Sequence, residues 1–374
     1  MANENLTSAK NAKNDEFYTQ FADIEKEMNA YLDRDPDVFR DKVVLLPCDD
    51  PEWSNFTRYF AQNFERLGMR KLVSTSYAPS AVLRGEAQDG DEAAIHGKVY
   101  TLTRDITGDD RTDFRDLEWA YLDGDGDFRS PEVSALRDEA DIVITNPPFS
   151  LFREFLAWVS DKRFVLIGNM NAITYKESFR LIQTDRMWLG ATSNGSDMVF
   201  AVPAGSEVAD ADREKAARLG YVGNFTRLGN SCWFTNLDHG RRHEPLALMT
   251  MADNLRFSRH KEIRGRSAYE HYDNYDAIEV PFTDAIPSDY TGLMGVPISF
   301  LDKYAPEQFE IVGTLESSDP DNTARTRWYS AQDQKDAFFR RFGTQGTIPL
   351  NMSGVINDVK VFKRILIRHR RPAA

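Results

Sequence analysis

Apolar residues in this chain fall into short, unbroken, β-branched runs that alternate with stretches of helical period. Val43-Val44-Leu45-Leu46-Pro47-Cys48 reads as a buried strand, Lys71 to Tyr77 as a second, and Gly97 to Leu102 as a strand that turns back. Ile142-Val143-Ile144, Arg163 to Met170 and Cys232 to Leu237 are further buried runs. Met187 to Gly190 reads as a shorter one, and Met198 to Val202 as a candidate pairing segment. Between them the spacing predicts helices over Ala22 to Leu32 (apolar at Ile24, Met28, Tyr31 and Leu32) and through Phe60, Phe64 and Leu67 to a stop at Gly68. A further helix is predicted to open at Ser150, a residue type suited to an N-cap, and to run through Leu151, Phe152, Phe155, Leu156 and Val159. Lys176 to Gln183 and Arg213 to Leu219 also read as helical. Strands alternating with helices from Val43 to Asn169 predict an α/β, doubly wound, mostly parallel sheet.

The character of the chain changes past about His243. Basic residues crowd together at Arg256, Arg259, His260, Lys261, Arg264 and Arg266, followed by Tyr269, His271, Tyr272, Asn274 and Tyr275. Ile278 to Leu301 reads as irregular, broken by Pro281, Pro287 and Pro297, and Val359 to Arg371 as a basic closing strand. Residues up to about Asn14 are small and polar and are expected to form a mobile arm. This gives three segments: an arm over 1–14, an α/β domain over 15–245 and a basic, aromatic-rich region over 246–374.

Composition narrows the class. Hydrophobic content of 41% and charged content of 28% over 374 residues are those of a globular protein with a full core. No apolar run approaches membrane-spanning length, and the polar start lacks a signal-peptide core, so a cytoplasmic protein is expected. The two cysteines, Cys48 and Cys232, make neither a disulfide framework nor a metal site and read as reduced, packed thiols. A formal charge of −13 argues against a surface coated all over with nucleic acid. A local basic face suffices for phosphate contacts, and the arginine-rich cluster after His243 offers one. Arginine bonds phosphate and guanine bidentately, and its interleaving with aromatics and amides favours nucleic acid over a merely solvated face.

The strongest chemical signal is Asp141-Ile-Val-Ile-Thr-Asn-Pro-Pro-Phe149. The strand must stop at Asn146, because Pro147 and Pro148 supply no N–H and hold the chain extended. A fixed amide and an aromatic ring then stand at the carboxyl end of a strand, where open α/β sheets bind ligands. Asp49 and Asp50 follow the first strand in the same way, placed to hold a cationic or hydroxylated group or merely to cap the next helix. Asp123-Gly-Asp-Gly-Asp-Phe-Arg129 suggests a calcium loop, but Phe128 stands where glycine is required and Ser134 where the last acid should be. Asp127-Phe128 better suits an acid accepting an adenine amino group. Phe17-Tyr18 is either a hydrophobic staple before the first helix or the cover of a flat ligand.

Taken jointly, Asp15-Glu-Phe-Tyr-Thr19, Cys48-Asp-Asp-Pro-Glu-Trp-Ser-Asn-Phe56, Asn146-Pro-Pro-Phe149, Trp233-Phe-Thr-Asn-Leu237 and Gly295-Val-Pro-Ile-Ser-Phe-Leu-Asp-Lys-Tyr304 resemble the EcoRI-type adenine-specific DNA methyltransferases. The resemblance runs from Asn14 to about Ile311. It implies a Rossmann-like methyltransferase sheet with Cys232 to Leu237 as an antiparallel hairpin strand, followed by a C-terminal DNA-recognition region. It also implies methyl transfer from S-adenosyl-L-methionine to N6 of a flipped-out adenine in double-stranded DNA. Asn146, Pro147, Pro148 and Phe149 would be catalytic. Phe17, Tyr18, Asp49 or Asp50, Asp127 and Phe128 would bind the cofactor, and Arg256, Arg259, Lys261, Arg264 and Arg266 the DNA. No metal is expected. The enzyme is expected to be a monomer, with a cognate restriction endonuclease as an optional partner. Two features depart from methyltransferases at large: no Gly-x-Gly follows the first strand, and Ser76-Tyr77 stands where the ribose-binding acid is usual. Competing readings are a methyltransferase-fold enzyme acting on RNA adenine or protein glutamine, or a catalytically silent DNA-binding regulator. A nucleotide-binding oxidoreductase lacks the Gly-rich turn it would need.

Overall fold

The computed structural model describes residues 18–78, 96–192, 198–202, 208–315 and 324–370. Phe17 and the expected N-terminal arm lie outside the described residues. The chain divides into two compact units, Met1–Gly240 and Arg241–Ala374.

The first unit is built on an eight-stranded mixed sheet. Its strands are β2 (Val43–Leu46), β3 (Lys71–Ser76), β4 (Lys98–Leu102), β5 (Glu118–Tyr121), β6 (Ile142–Thr145), β7 (Arg163–Asn169), β8 (Trp188–Leu189) and β11 (Ser231–Thr235), in the spatial order β5-β4-β3-β2-β6-β7-β11-β8. The four central strands β3, β2, β6 and β7 are mutually parallel. Every residue of β2 and β6 is buried, as expected for strands covered on both faces. The expectation of a mostly parallel sheet holds only for this centre. β4 and β5 run antiparallel on one side, and β11 and β8 on the other. A small sheet of β1 (Tyr18–Thr19), β9 (Val199–Ala201) and β10 (Phe225–Arg227) stands apart, with β9 pairing antiparallel to both neighbours.

Helices cover the sheet where the apolar period dictates. α1 (Phe21–Arg34) buries Ile24, Met28 and Tyr31 along one stripe and ends at Asp35, because Pro36 disfavours helix at the residue before it. Glu27 on that stripe is fully buried. Its carboxylate accepts bonds from Tyr31 Oη (2.6 Å), the Ala191 and Thr192 amides (2.8 Å each) and Thr192 Oγ1 (2.5 Å), which ties α1 to the turn after β8. α2 (Asn55–Gln62) is capped by Ser54, and its Phe56 meets Trp233 of β11 at 5.9 Å. Successive strand residues point to opposite faces, and the next residue, Phe234, meets Phe152 of α4 (Phe152–Val159) at 5.2 Å. Helices therefore pack on both faces. α3 (Pro131–Glu139) is capped by Ser130.

Ser150 does not cap α4. Leu151 N bonds the Pro148 carbonyl, and Phe149–Leu151 forms a 3₁₀ turn before the helix proper begins at Phe152. Ile278 to Leu301 is not irregular throughout, because Ala277–Glu279 (β12) and Leu293–Pro297 (β13) are strands.

In the second unit β12 and β13 join β14 (Phe309–Thr314) and a later strand, Arg364–His369, in the order β12-β13-(364–369)-β14. The expected strand from Val359 is in fact a short hairpin, β15 (Val355–Ile356) with β16 (Val359–Lys360), before Arg364–His369 (β17). Asn357 and Asp358, both left-handed, turn the hairpin, and residues 361–363 leave the sheet between β16 and β17. Under the sheet, Arg364 clasps the buried Glu279 carboxylate (Nη2–Oε1 2.6 Å, Nε–Oε1 3.0 Å), which also accepts a bond from Tyr272 Oη. Among the described residues no helix is long and apolar enough to cross a membrane.

Candidate active site

Parallel register brings the chemistry together. β2 has β3 on one side and β6 on the other, so the chain leaves the sheet centre in opposite directions, and a crevice opens beyond the carboxyl ends of β2 and β6. A cleft of about 930 Å³, partly open to solvent, lies there. Of the residues singled out from sequence, Tyr18, Asp49, Asp50, Asp127, Phe128, Asn146 and Pro148 all line it. Pro147 is buried beneath, and Phe149 packs half-buried against the hydrophobic cluster of the first unit rather than lining the cleft.

Asp49 is the most constrained group. It is 5% exposed, and both carboxylate oxygens are engaged, Oδ2 by Thr145 Oγ1 at 2.5 Å and Oδ1 by Ser54 Oγ at 2.7 Å. Burial pushes its pKa up to about 7 against these two hydrogen bonds, which pull it down. Its backbone is held too: its amide donates to Thr75 O (3.2 Å), and its carbonyl accepts from Thr57 Oγ1 (3.0 Å) and from Ser74 Oγ. Asp50 is half-buried, and its Oδ1 accepts the Glu52 amide at 2.9 Å, shaping the turn that replaces the absent Gly-x-Gly. β1 reaches the cleft because β9 pairs with it and because Asn55 Nδ2 donates to Thr19 O at 2.8 Å.

Asp127 is positioned by glycine. Gly126 has φ +84°, and a Cβ there would collide with the Ser76 carbonyl; Gly97 crosses the same carbonyl closely. Ala78 N bonds Asp125 O at 2.7 Å, which fastens the loop to the end of β3. Arg129 pairs with Asp127 (2.6 Å) and Glu154 (3.0 Å), and its hydrogen bond holds the Asp127 carboxyl below the usual range. Phe128 is buried, with its ring against Phe155 (4.9 Å) and Trp158 (5.6 Å). Sequence reasoning did not single out Thr19, Ser54, Gly126, Arg129 or Leu151 as lining residues. Only Gly126 carried a signal, as the central glycine of Asp-Gly-Asp-Gly-Asp. Three carboxyl groups line the cleft and its one guanidinium offsets that of Asp127, so the Asp49–Asp50 side is the part suited to a cationic group. Among the described residues no cluster of His, Cys, Asp or Glu could hold a metal ion.

The model of the family described as "Adenine-specific methyltransferase EcoRI" matches residues 5–370. The chain belongs to this family. It is 43% identical over 313 residues to the Type II methyltransferase M.EcoRI of Escherichia coli, covering 83% of this chain and 89% of that protein. It is 34% identical over 313 residues to M.MpnI of Mycoplasma pneumoniae (82% and 84%) and 33% over 312 residues to M.MgeORF184P of Mycoplasma genitalium (82% and 85%). No solved structure matches the chain. As a member of the family it is an adenine-specific methyltransferase, and Asn146 and Pro148 line the cleft at the ends of β2 and β6.

The basic cluster lies in the second unit. Arg256, Arg259, Lys261, Arg264 and Arg266 are all exposed around the short helix Met251–Phe257 (α5). Two of them already have acidic partners: Arg259 pairs with Asp284 (2.8 Å) and Arg266 with Glu270 (2.7 Å). Arg256 stacks over the Phe257 ring at 4.8 Å.

Proposed function

We propose that this enzyme transfers a methyl group from S-adenosyl-L-methionine to N6 of adenine in double-stranded DNA, with the target base flipped out of the duplex. The observation that carries the reading is the convergence of Asn146 and Pro148 with Tyr18, Asp49, Asp50 and Asp127 on one acid-lined cleft. On this reading the first unit is a doubly wound, Rossmann-like cofactor domain and the second a DNA-recognition region.

The cofactor, when bound, supplies an electrophilic methyl on a sulfonium sulfur, and it also carries an ammonium group and an adenine. The lining suits each of these. Asp50 is the better holder for the ammonium, because both Asp49 oxygens are committed to Thr145 and Ser54. Asp127 faces the adenine amino group, with Phe128 backing that wall, and Tyr18 of β1 covers the ligand.

The exocyclic amine of adenine is a poor nucleophile because its lone pair is delocalised into the ring. Asn146 Oδ1 accepts one amine hydrogen and the Pro147 carbonyl the other, which localises the lone pair on nitrogen. Pro147 and Pro148 cannot relax, so the acceptors keep their place, and positioning supplies much of the acceleration. As the nitrogen bonds the methyl, the carbon–sulfur bond would break with its electron pair left on sulfur, and the now cationic nitrogen is acidic enough to release one proton to water without a base among the side chains. Phe149 is braced by the hydrophobic cluster and offers a ring that stays in place when the extruded base stacks on it. Arg256, Arg259, Lys261, Arg264 and Arg266 contact phosphate and base edges, and pairing with Asp284 and Glu270 presets two of them.

The test is to express the protein in a host without adenine methylation and sequence its DNA by a method that detects N6-methyladenine. One short sequence methylated throughout the genome is expected. Unmodified DNA from cells containing the folded protein, or label transferred equally to RNA, would overturn the reading.

A further inference from the structure

Thr145 is the last residue of β6, is fully buried and immediately precedes Asn146. Its hydroxyl donates to Asp49 Oδ2 at 2.5 Å, while Ser54, the cap of α2, holds Oδ1. Valine would fill the same space and suit a strand at least as well, so the hydroxyl is not explained by propensity or packing. What the hydroxyl adds is a tie between the loop after β2 and the strand that ends in Asn146.

We infer that Thr145 is a positioning residue for methyl transfer: acting through the Asp49 carboxylate, it holds the cofactor-side loop in register with Asn146. The inference rests on the function proposed above and goes beyond it in naming what aligns the two halves of the site. The tie runs through one residue, by its backbone and its carboxylate, to the ends of three neighbouring strands. Asp49 follows β2, bonds Thr75 of β3 through its amide and bonds Thr145 of β6 through its side chain. In-line transfer tolerates little displacement, and a shift of about 1 Å lowers rate on the order of 100-fold.

Hydroxyls, not cations, hold this carboxylate. The titratable groups lining the cleft around it are Cys48 and Asp50 on its own loop, Tyr77 after β3, Asp127 and Arg129 on the loop before α3, and Tyr18 on β1. Arg129, the one cation among them, is bound to Asp127 and Glu154. Removing the Thr145 hydroxyl therefore leaves Asp49 harder to ionise and shifts any rate that depends on its charge toward higher pH.

The experiment is steady-state methylation of a duplex oligonucleotide by the full chain, comparing wild type, Thr145→Val and Thr145→Ser between about pH 5.5 and 9, a range that brackets the usual carboxylate shifts. Thr145→Val is expected to lower kcat roughly 10- to 100-fold and to move the acidic limb of kcat up by about one pH unit, with equilibrium affinity for DNA unchanged. Thr145→Ser, which keeps the hydroxyl, is expected to restore both. Wild-type kcat and an unmoved limb in Thr145→Val would overturn the inference, and so would a Thr145→Ser variant as impaired as Thr145→Val. If Thr145→Val does not fold, Thr145→Ala carries the same expectations and the same refutations. Failure of wild type itself to methylate the duplex would instead refute the underlying function, so the two failures are distinguishable.

Discussion

Replacing Asp49 by Asn should remove a loss of folding stability that wild type suffers as pH rises from about 4 to about 7. The Asp49 carboxyl carries a pKa of about 7 in the folded protein, against an ordinary value of 3.8. Below the lower value both folded and unfolded chains are protonated there. Between the two values the folded protein keeps a proton that the unfolded chain has released, so each pH unit of rise favours the unfolded state. Above the upper value the effect is constant. A span of roughly three pH units at about 1.4 kcal/mol each gives about 4 kcal/mol. Asp49 is 5% exposed, so solvent screening takes little from this figure. The assay is urea unfolding followed by tryptophan fluorescence. Five of the six tryptophans (Trp53, Trp119, Trp158, Trp188 and Trp233) lie within Met1–Gly240, so the signal follows the unit that contains Asp49. The stability difference between Asp49→Asn and wild type should grow in favour of the variant across that window and then level off. The same variant should bind a cationic cofactor more weakly, which is the usual exchange of stability for function at a site. Parallel stability curves for the two proteins across the window would refute the reasoning.

Three further predictions follow from other parts of the molecule. Gly126→Ala puts a Cβ against the Ser76 carbonyl at a φ of +84°, and should destabilise by more than about 1 kcal/mol while weakening cofactor binding in calorimetry; Gly124→Ala, with nothing within 4 Å, should do neither. Arg364→Ala leaves the buried Glu279 carboxylate without its guanidinium and should cost about 3–5 kcal/mol in chemical unfolding of the second unit, much of it recovered by Glu279→Gln in the double variant. Replacing Arg256, Lys261 and Arg264 together by Ala should weaken DNA binding on every sequence tested. It should also reduce the slope of log affinity against log salt by about one per lost phosphate contact, measured by fluorescence anisotropy.

Much of the site was legible because it rests on backbone constraints written locally. Two prolines after an apolar run end a strand wherever they occur, and the acids after Leu46 and the amide after Thr145 converge once β2 and β6 are parallel neighbours. The same reasoning could not see β5, since Glu118-Trp-Ala-Tyr121 is exposed throughout and has no alternation to read. It misplaced the start of α4 because serine's capping preference lost to the turn that Pro148 sets up. It treated Asp49 and Asp50 as equivalent, although tertiary contacts with Thr145 and Ser54 make one a buried tie and leave the other at the cleft wall. In Asp123-Gly-Asp-Gly-Asp127 the acids drew attention, yet the positional demand falls on Gly126, which lets the loop cross the end of β3. The basic cluster was visible as composition, and Glu270 stands one helical turn's spacing from Arg266, but the pairing of Arg259 with Asp284 joins segments 25 residues apart.

The central claim is that Asn146, in this cleft, activates an adenine amine for methyl transfer. It is tested most directly by incubating the purified protein with methyl-labelled S-adenosyl-L-methionine and a duplex carrying its methylation sequence, then identifying the labelled nucleoside by mass spectrometry. Wild type should yield N6-methyladenine, and Asn146→Ala should lose transfer by at least about 100-fold while binding cofactor and DNA as before. Label on any other base, or an Asn146→Ala variant with undiminished transfer, would contradict the account.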